Sequence, residues 1–303
     1  MHEQIAANKR KTFLLIVLAI AFLSAIGWII GYFFLYGGTT GLIIAAILAI
    51  GLSLGSYFYG DKIVLRSTGA KKVTPEQEPR LHNVVEGLAI AAGVPKPEVY
   101  VVSEMAPNAF ATGRDPEHSS IAVTRGLLET MNRVELEGVI GHEMSHVLDR
   151  DILIGTIVAT VVGAAILLSE IFTRTWFWGG GGRRNNNSGG DAGVLGLILF
   201  AVGIVLLILA PLAGQLIKLS VSRNREYLAD AQGVLLTRYP PGLISALEKI
   251  AAAPHAMRAA NNATAHLWLD QPSRIPGQDT STLERLFSTH PPIQERIRRL
   301  QEM

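Results

Sequence analysis

Glu137-Gly138-Val139-Ile140-Gly141-His142-Glu143-Met144-Ser145-His146-Val147-Leu148-Asp149 is the stretch on which the reading of this chain turns. It holds the pattern H-E-x-x-H at His142, Glu143 and His146. In a helix, residues four apart lie on one face, about one turn from each other. Two imidazoles so placed can direct ring nitrogens at one zinc ion, with bonds of ~2.0–2.1 Å. Glu143 lies beside the first of them, where a carboxylate can take a proton from a metal-activated water. The flanking residues are mostly small and apolar, so three polar side chains there require partners.

Composition narrows the alternatives. Of the 303 residues, 49% are hydrophobic and 17% charged, a balance that points to a membrane. There is no cysteine, which excludes disulfides and thiolate ligands, so a zinc site must use His, Asp or Glu. The net charge of +2 and the lack of a long basic run argue against a nucleic-acid partner.

Residues 13–34, 41–59, 152–172 and 194–217 are each apolar enough to span a bilayer. Their lengths approach the ~20 residues that ~30 Å of hydrocarbon requires. Lys9, Arg10 and Lys11 precede the first, and Lys62, Arg66, Lys71 and Lys72 follow the second. The link Tyr36-Gly37-Gly38-Thr39-Thr40 carries no charge. The positive-inside rule then places the N-terminus and the region after the second span in the cytoplasm. The third link dissents mildly, with Arg174, Arg183 and Arg184 against Asp191 in a Gly- and Asn-rich stretch.

Four divisions follow: a transmembrane hairpin over 1–60, a first soluble piece over 61–151, a second hairpin over 152–217 and a second soluble piece over 218–303. Thr74-Pro75-Glu76-Gln77 predicts a helix start, and Gly93-Val94-Pro95 its end. Glu98-Val99-Tyr100-Val101-Val102 and Ser120-Ile121-Ala122-Val123-Thr124 predict strands. Asn132-Arg133-Val134-Glu135 predicts a capping box that opens the motif helix, which is expected to run on through Asp149-Arg150-Asp151 into the third span.

A catalytic zinc needs a third protein ligand and an open position. Glu226 and Asp230 are spaced four apart in Ser222-Arg223-Asn224-Arg225-Glu226-Tyr227-Leu228-Ala229-Asp230. Glu226 can bind the metal while Asp230 accepts the spare N–H of a ligand histidine. On spacing alone they read equally well as surface charges paired with Arg223 and Arg225.

H-E-x-x-H on a helix feeding a transmembrane span, a hairpin of spans, and then R-x-x-E-x-x-A-D from Arg223 to Asp230 together resemble the HtpX family of membrane zinc metalloproteases, relatives of the CAAX prenyl protease type 1 enzymes. Asn108-Ala109-Phe110-Ala111-Thr112-Gly113 and His290-Pro291 belong to the same likeness. The resemblance implies a mostly α, multi-pass membrane protein with four transmembrane helices. It implies a cytoplasmic zincin-like domain of the glutamate-ligand type, bearing a small β-hairpin. It implies one Zn2+ per chain on His142, His146 and Glu226, with Glu143 activating water and Asp230 behind a ligand histidine. Asn108 and Ala109 would hold extended peptide by main-chain pairing, and His290 would stabilise the transition state. From the residues alone, Asn108 reads as a turn residue after Pro107 and His290 equally as a cap before Pro291. The implied substrates are misfolded or damaged membrane proteins and unfolded polypeptides, cut beside the bilayer. A prenyl-protein protease and a scaffold with a structural zinc are the competing readings.

Overall fold

The computed structural model describes residues 38–179, 223–253, 257, 263–270 and 291–303, with a few positions between 6 and 32. Helix α1 spans Gly38–Ser67 and leads to a two-residue strand β1, Lys71–Lys72. Helix α2 (Pro79–Ala92) is followed by strands β2 (Glu98–Val102), β3 (Ala109–Asp115) and β4 (His118–Thr124). Next come α3 (Arg125–Thr130), the motif helix α4 (Arg133–Leu148) and α5 (Ile152–Gly179). The second soluble piece supplies α6 (Arg223–Thr237), α7 (Pro240–Ala252), a 3-10 turn (Ala265–Leu267) and α8 (Ile293–Gln301).

The four strands form one sheet in the order β1-β2-β4-β3. The two strands expected from the residues, β2 and β4, pair in parallel. The expected hairpin exists, but it joins β4 to β3, a strand that the sequence does not announce. Its residues Ala109-Phe110-Ala111-Thr112-Gly113-Arg114-Asp115 are mostly small, polar or glycine, which gives little β propensity. Tertiary burial makes the strand instead. Side chains alternate between faces along each strand. Val99, Ala109, Ala111, Ile121 and Val123 enter a core with Leu81, Leu136, Ile140 and Met144 from α2 and α4. Phe110, Ala122 and Val102 enter a second core with Val64 and Leu65 from the end of α1 and with Trp268. The sheet is therefore covered on both faces, and β3 forms its edge beside the motif helix.

Two helix boundaries differ from expectation. Thr74–Gln77 does close a turn, with Thr74 N–H donating to Gln77 Oε1 at 2.9 Å. The helix itself starts at Pro79, because proline lacks the N–H needed to continue that turn. The motif helix does not run into α5. It ends at Leu148, Arg150 takes a left-handed φ of 56°, and α5 restarts with Ile154 N–H on the Asp151 carbonyl at 3.1 Å. Asp151, just past this break, turns its carboxylate back toward His146, with Oδ2 3.0 Å from Nδ1.

Among the described residues one helix, Thr39–Ser67, is long and apolar enough to cross a membrane, with a mean hydropathy of 2.1 and 11% of its apolar window buried. The expected span at 152–172 lies within α5. The span at 194–217 and most of that at 13–34 fall outside the described residues, as do the Gly/Asn-rich link and His290. The helices α1 and α5 cross at Gly60, where a Cβ would come within 2.7 Å of Thr156 Cγ2. Thr156 also reaches the sheet, its Oγ1 lying 2.8 Å from Thr112 Oγ1. This crossing ties the base of the apolar helices to the edge strand.

Candidate metal centre

The motif helix begins with the predicted capping box. Asn132 Oδ1 accepts from Glu135 N–H at 3.0 Å, and Glu135 Oε2 accepts from Asn132 N–H at 2.8 Å. The helix is buried nearly all round, so its small residues set how closely neighbours approach. A Cβ on Gly138 would lie 2.6 Å from Leu243 N, against α7. A Cβ on Gly233 would lie 2.8 Å from His142 N, against α6. The pair Gly141 and Gly233 lets α4 and α6 touch backbone to backbone. Ser145 Oγ donates to His142 O at 2.6 Å and lies 3.2 Å from Ala229 O across the same contact. Glu226, Asp230 and Gly233 fall at i, i+4 and i+7 on one face of α6, so the contact turns both carboxylates toward the histidines.

His142, His146 and Glu226 converge, with one ligand atom from each lying within 4.8 Å of the others. The two Nε2 atoms are 3.1 Å apart. Glu226 Oε2 is 3.6 Å from His142 Nε2, and Oε1 is 3.9 Å from His146 Nε2. The carboxylate distances are long for hydrogen bonds. They suit three donors aimed at one point, since a tetrahedral ion with bonds of ~2.0–2.1 Å separates its donors by about 3.3 Å. The residues fit a zinc ion on this observation. Burial holds His142 below its ordinary pKa despite the Asp230 carboxylate, which favours the neutral, metal-binding form.

Each histidine is backed by a carboxylate, and each carboxylate by an arginine. Asp230 Oδ1 lies 2.9 Å from His142 Nδ1 and 2.6 Å from Arg296 Nη2. Asp151 Oδ2 lies 3.0 Å from His146 Nδ1 and 3.5 Å from Arg225 Nε. If Nε2 is kept for a metal, Nδ1 must carry the proton and donate, which assigns the tautomer in both rings. Burial works against the Asp230 charge, but Arg296 and His142 outweigh it and bring its pKa to about 2. For His146, burial is outweighed by Asp151, Glu226 and Glu143, which push the ring up to about 10 in the absence of metal. Four buried carboxylates, Glu143, Asp151, Glu226 and Asp230, thus meet around the two rings. So acidic a site suits a divalent cation.

Glu143 is 2% exposed, and burial pushes its carboxyl up to about 7. It accepts from the Ala111 backbone N–H on the edge strand. The cleft in front of it is lined by Ala111, His142, His146, Glu226 and Leu269.

A profile of peptidase family M48 matches residues 75–303. The chain belongs to peptidase family M48. Within it, this M48 peptidase is 48% identical over 303 residues to a protease HtpX homolog of Caldanaerobacter subterraneus subsp. tengcongensis, covering 100% of this chain and 98% of that one. It is 46% identical to the homolog of Thermoanaerobacter pseudethanolicus, again over 100% and 98% of the two chains. For that of Streptococcus gordonii the identity is 43% over the whole of both. Among solved structures, Ste24p of S. mikatae matches 99% of this chain and 67% of its own, at 20% identity and a TM-score of 0.49. The resemblance to HtpX proteases seen in the motifs therefore holds along the full length, and the protein is a metallopeptidase.

Ala109 opens the edge strand and Asn108 lies just before it, and the outward groups of both are engaged within the chain. Asn108 Nδ2 donates to Asp270 O at 2.9 Å, and Asn108 Oδ1 accepts from Asp270 N–H at 3.2 Å. Leu269 N–H donates to Ala109 O at 2.9 Å. Further along, Gly113 N–H donates to Thr156 Oγ1 at 3.2 Å. Asp151, Arg225, Arg296 and Trp268 were not singled out by their sequence context. Asp151 could have been suspected from its place five residues after His146. Arg296 gave no local sign, since Arg298 and Arg299 beside it are ordinary surface ion pairs with Glu295. His266 is buried at the cleft, with Nε2 3.2 Å from Gly155 O.

Proposed function

We propose that this M48 peptidase is a membrane-bound zinc endopeptidase that cuts misfolded or damaged membrane proteins. The observation that carries the catalytic reading is the convergence of His142, His146 and Glu226 with Glu143 beside them. One Zn2+ per chain would be held by those three side chains. Bound there, zinc supplies a Lewis acid that polarises the scissile carbonyl and acidifies water. Glu143 accepts the proton of the attacking water at its carboxylate and returns it to the leaving amine nitrogen. Asp230 and Asp151 each accept an Nδ1–H, which orients the rings and raises their basicity as ligands. His290 is the proposed donor to the oxyanion. A structural zinc takes four protein ligands, and among the described residues the cluster offers three.

The membrane part of the reading rests on charge and hydropathy. Four spans, two hairpins at 1–60 and 152–217 and a cytoplasmic catalytic unit built from 61–151 and 218–303 follow from the Lys and Arg flanks. Helix α1 supports it by carrying its apolar length straight into the second core at Val64 and Leu65. The cleft then opens near the bilayer; peptide held by the main chain at Asn108 and Ala109 would have to take the place of the Leu269–Asp270 segment bonded there, and it would be chosen by unfolding rather than by side-chain sequence.

The test uses full-length protein in detergent. Glu143→Gln should keep one equivalent of zinc and lose about 100- to 10,000-fold in casein cleavage, the usual worth of a general base. Near-normal turnover in that variant would reject the mechanism. Equal cleavage of one loop in a stable membrane protein and in its destabilised mutant would reject the quality-control role.

A further inference from the structure

Arg296 is 1% exposed, on a helix of the C-terminal segment. Ile293 and Leu300 of α8 are buried beside it, so packing alone would be served by another apolar residue at this position. A buried ion pair is no gain in stability over well-packed apolar side chains of similar volume. The guanidinium must therefore be explained by what it touches. Its Nε donates to Asp230 Oδ2 at 2.8 Å and Nη2 to Oδ1 at 2.6 Å, a two-point fork that fixes the plane of the carboxylate. The same Oδ1 receives His142 Nδ1 at 2.9 Å. The remaining arm, Nη1, donates to Leu269 O at 3.1 Å. Leu269 is in turn bonded through its N–H to Ala109 O on the edge strand. One side chain thus joins a residue behind a metal-site histidine to the segment that lies on the cleft edge.

We infer that Arg296 is a positioning residue of the metal centre: its fork orients Asp230 and hence the His142 ring, while its third arm registers the Leu269 segment and the β3 edge against that ring. The inference rests on the zinc-site reading above. Removing the fork leaves Asp230 free to rotate and His142 Nε2 without a fixed direction. Removing the third arm loosens the wall of the cleft. Both effects arise from a residue 154 positions from His142 in the chain.

Full-length wild type, Arg296→Met, Arg296→Lys, Asp230→Asn and the double variant Arg296→Met with Asp230→Asn are compared in detergent. Zinc affinity is read by competition with a chromogenic chelator, ligand geometry by the visible spectrum of the cobalt-substituted protein, and peptide cleavage by KM and kcat separately. Arg296→Met should weaken zinc by about 10- to 100-fold, the range for residues that orient metal ligands. It should also shift the cobalt bands and raise KM. Lysine restores the charge without the fork, so Arg296→Lys should fall between, with a spectrum still displaced from wild type. The double variant should lose little more zinc affinity than Asp230→Asn alone, because the two residues act as one unit. Wild-type affinity and spectrum in Arg296→Met, or losses that multiply in the double variant, would overturn the inference. Should Arg296→Met not fold, Arg296→Lys decides it: a zinc affinity and spectrum equal to wild type refute it. Wild-type protein that binds no zinc defeats the site reading itself, a distinct result.

Discussion

Replacing Gly233 with alanine tests how the site is assembled. A Cβ there would lie 2.8 Å from His142 N, 2.9 Å from Gly141 C and 3.0 Å from His142 Cα, where ordinary contact starts at 3.4 Å. The shortfall is 0.4–0.6 Å, and every atom met is backbone of α4, which cannot swing aside. The helices α4 and α6 must part by about half an ångström. Glu226 lies seven residues earlier on the same face of α6 and moves with it. Metal–ligand distances tolerate only about ±0.2 Å, so the displacement exceeds what the site can absorb. Stability is affected less. Overpacking costs about 1–3 kcal/mol, offset by about 1 kcal/mol from replacing glycine in a helix interior. The expected outcome is a folded protein, within about 2 kcal/mol of wild type, with zinc affinity reduced at least about tenfold. Gly87→Ala is the control: it sits in α2, where an added Cβ would meet nothing within 4 Å, and it should leave zinc binding unchanged. Metal competition and thermal unfolding of both variants provide the assay. Wild-type zinc affinity in Gly233→Ala would refute the argument that backbone contact between α4 and α6 places Glu226.

Three further outcomes are expected. Without metal the His146 ring stays protonated up to about pH 10, held by Asp151, Glu226 and Glu143 against the effect of burial, so acid competes with zinc. The logarithm of zinc affinity, measured by competition, should rise by about one per pH unit between about pH 6 and 9; a flat profile contradicts the sign. Asp151→Asn removes the charge behind His146 and should weaken zinc by about 10- to 100-fold, lowering the steepness of that pH profile; an unchanged affinity would show that the Nδ1 contact has no role in binding. Asn108→Ala breaks both bonds to Asp270 and should speed hydrogen exchange at the Leu269 amide, which lies on Ala109 O, without altering zinc affinity; unchanged protection would mean that the segment is held elsewhere.

Features with a short period are legible in the amino-acid sequence by itself. The four-residue interval between His142 and His146 puts both rings on one helical face by geometry alone, and Glu226 and Asp230 repeat that interval. The Asn132–Glu135 cap, the apolar alternation of β2 and β4 and the uncharged run within α1 are likewise local. The tertiary structure decided what those faces meet. Glu226 and Asp230 could have been surface charges until the glycines at 141 and 233 allowed α6 to lie against α4. Asp151 looked like one more residue of a continuous helix until the left-handed turn at Arg150 brought it back to His146. Strand β3 has weak propensity of its own and exists because β4, α4 and α5 surround it. Arg296 and Asp270 lie far along the chain from His142 and Asn108, and a contact across that separation leaves no period to read. Spacing encodes which way a side chain points from its own element. The partner it finds there depends on packing between elements, where burial and charge are set by residues from the whole chain.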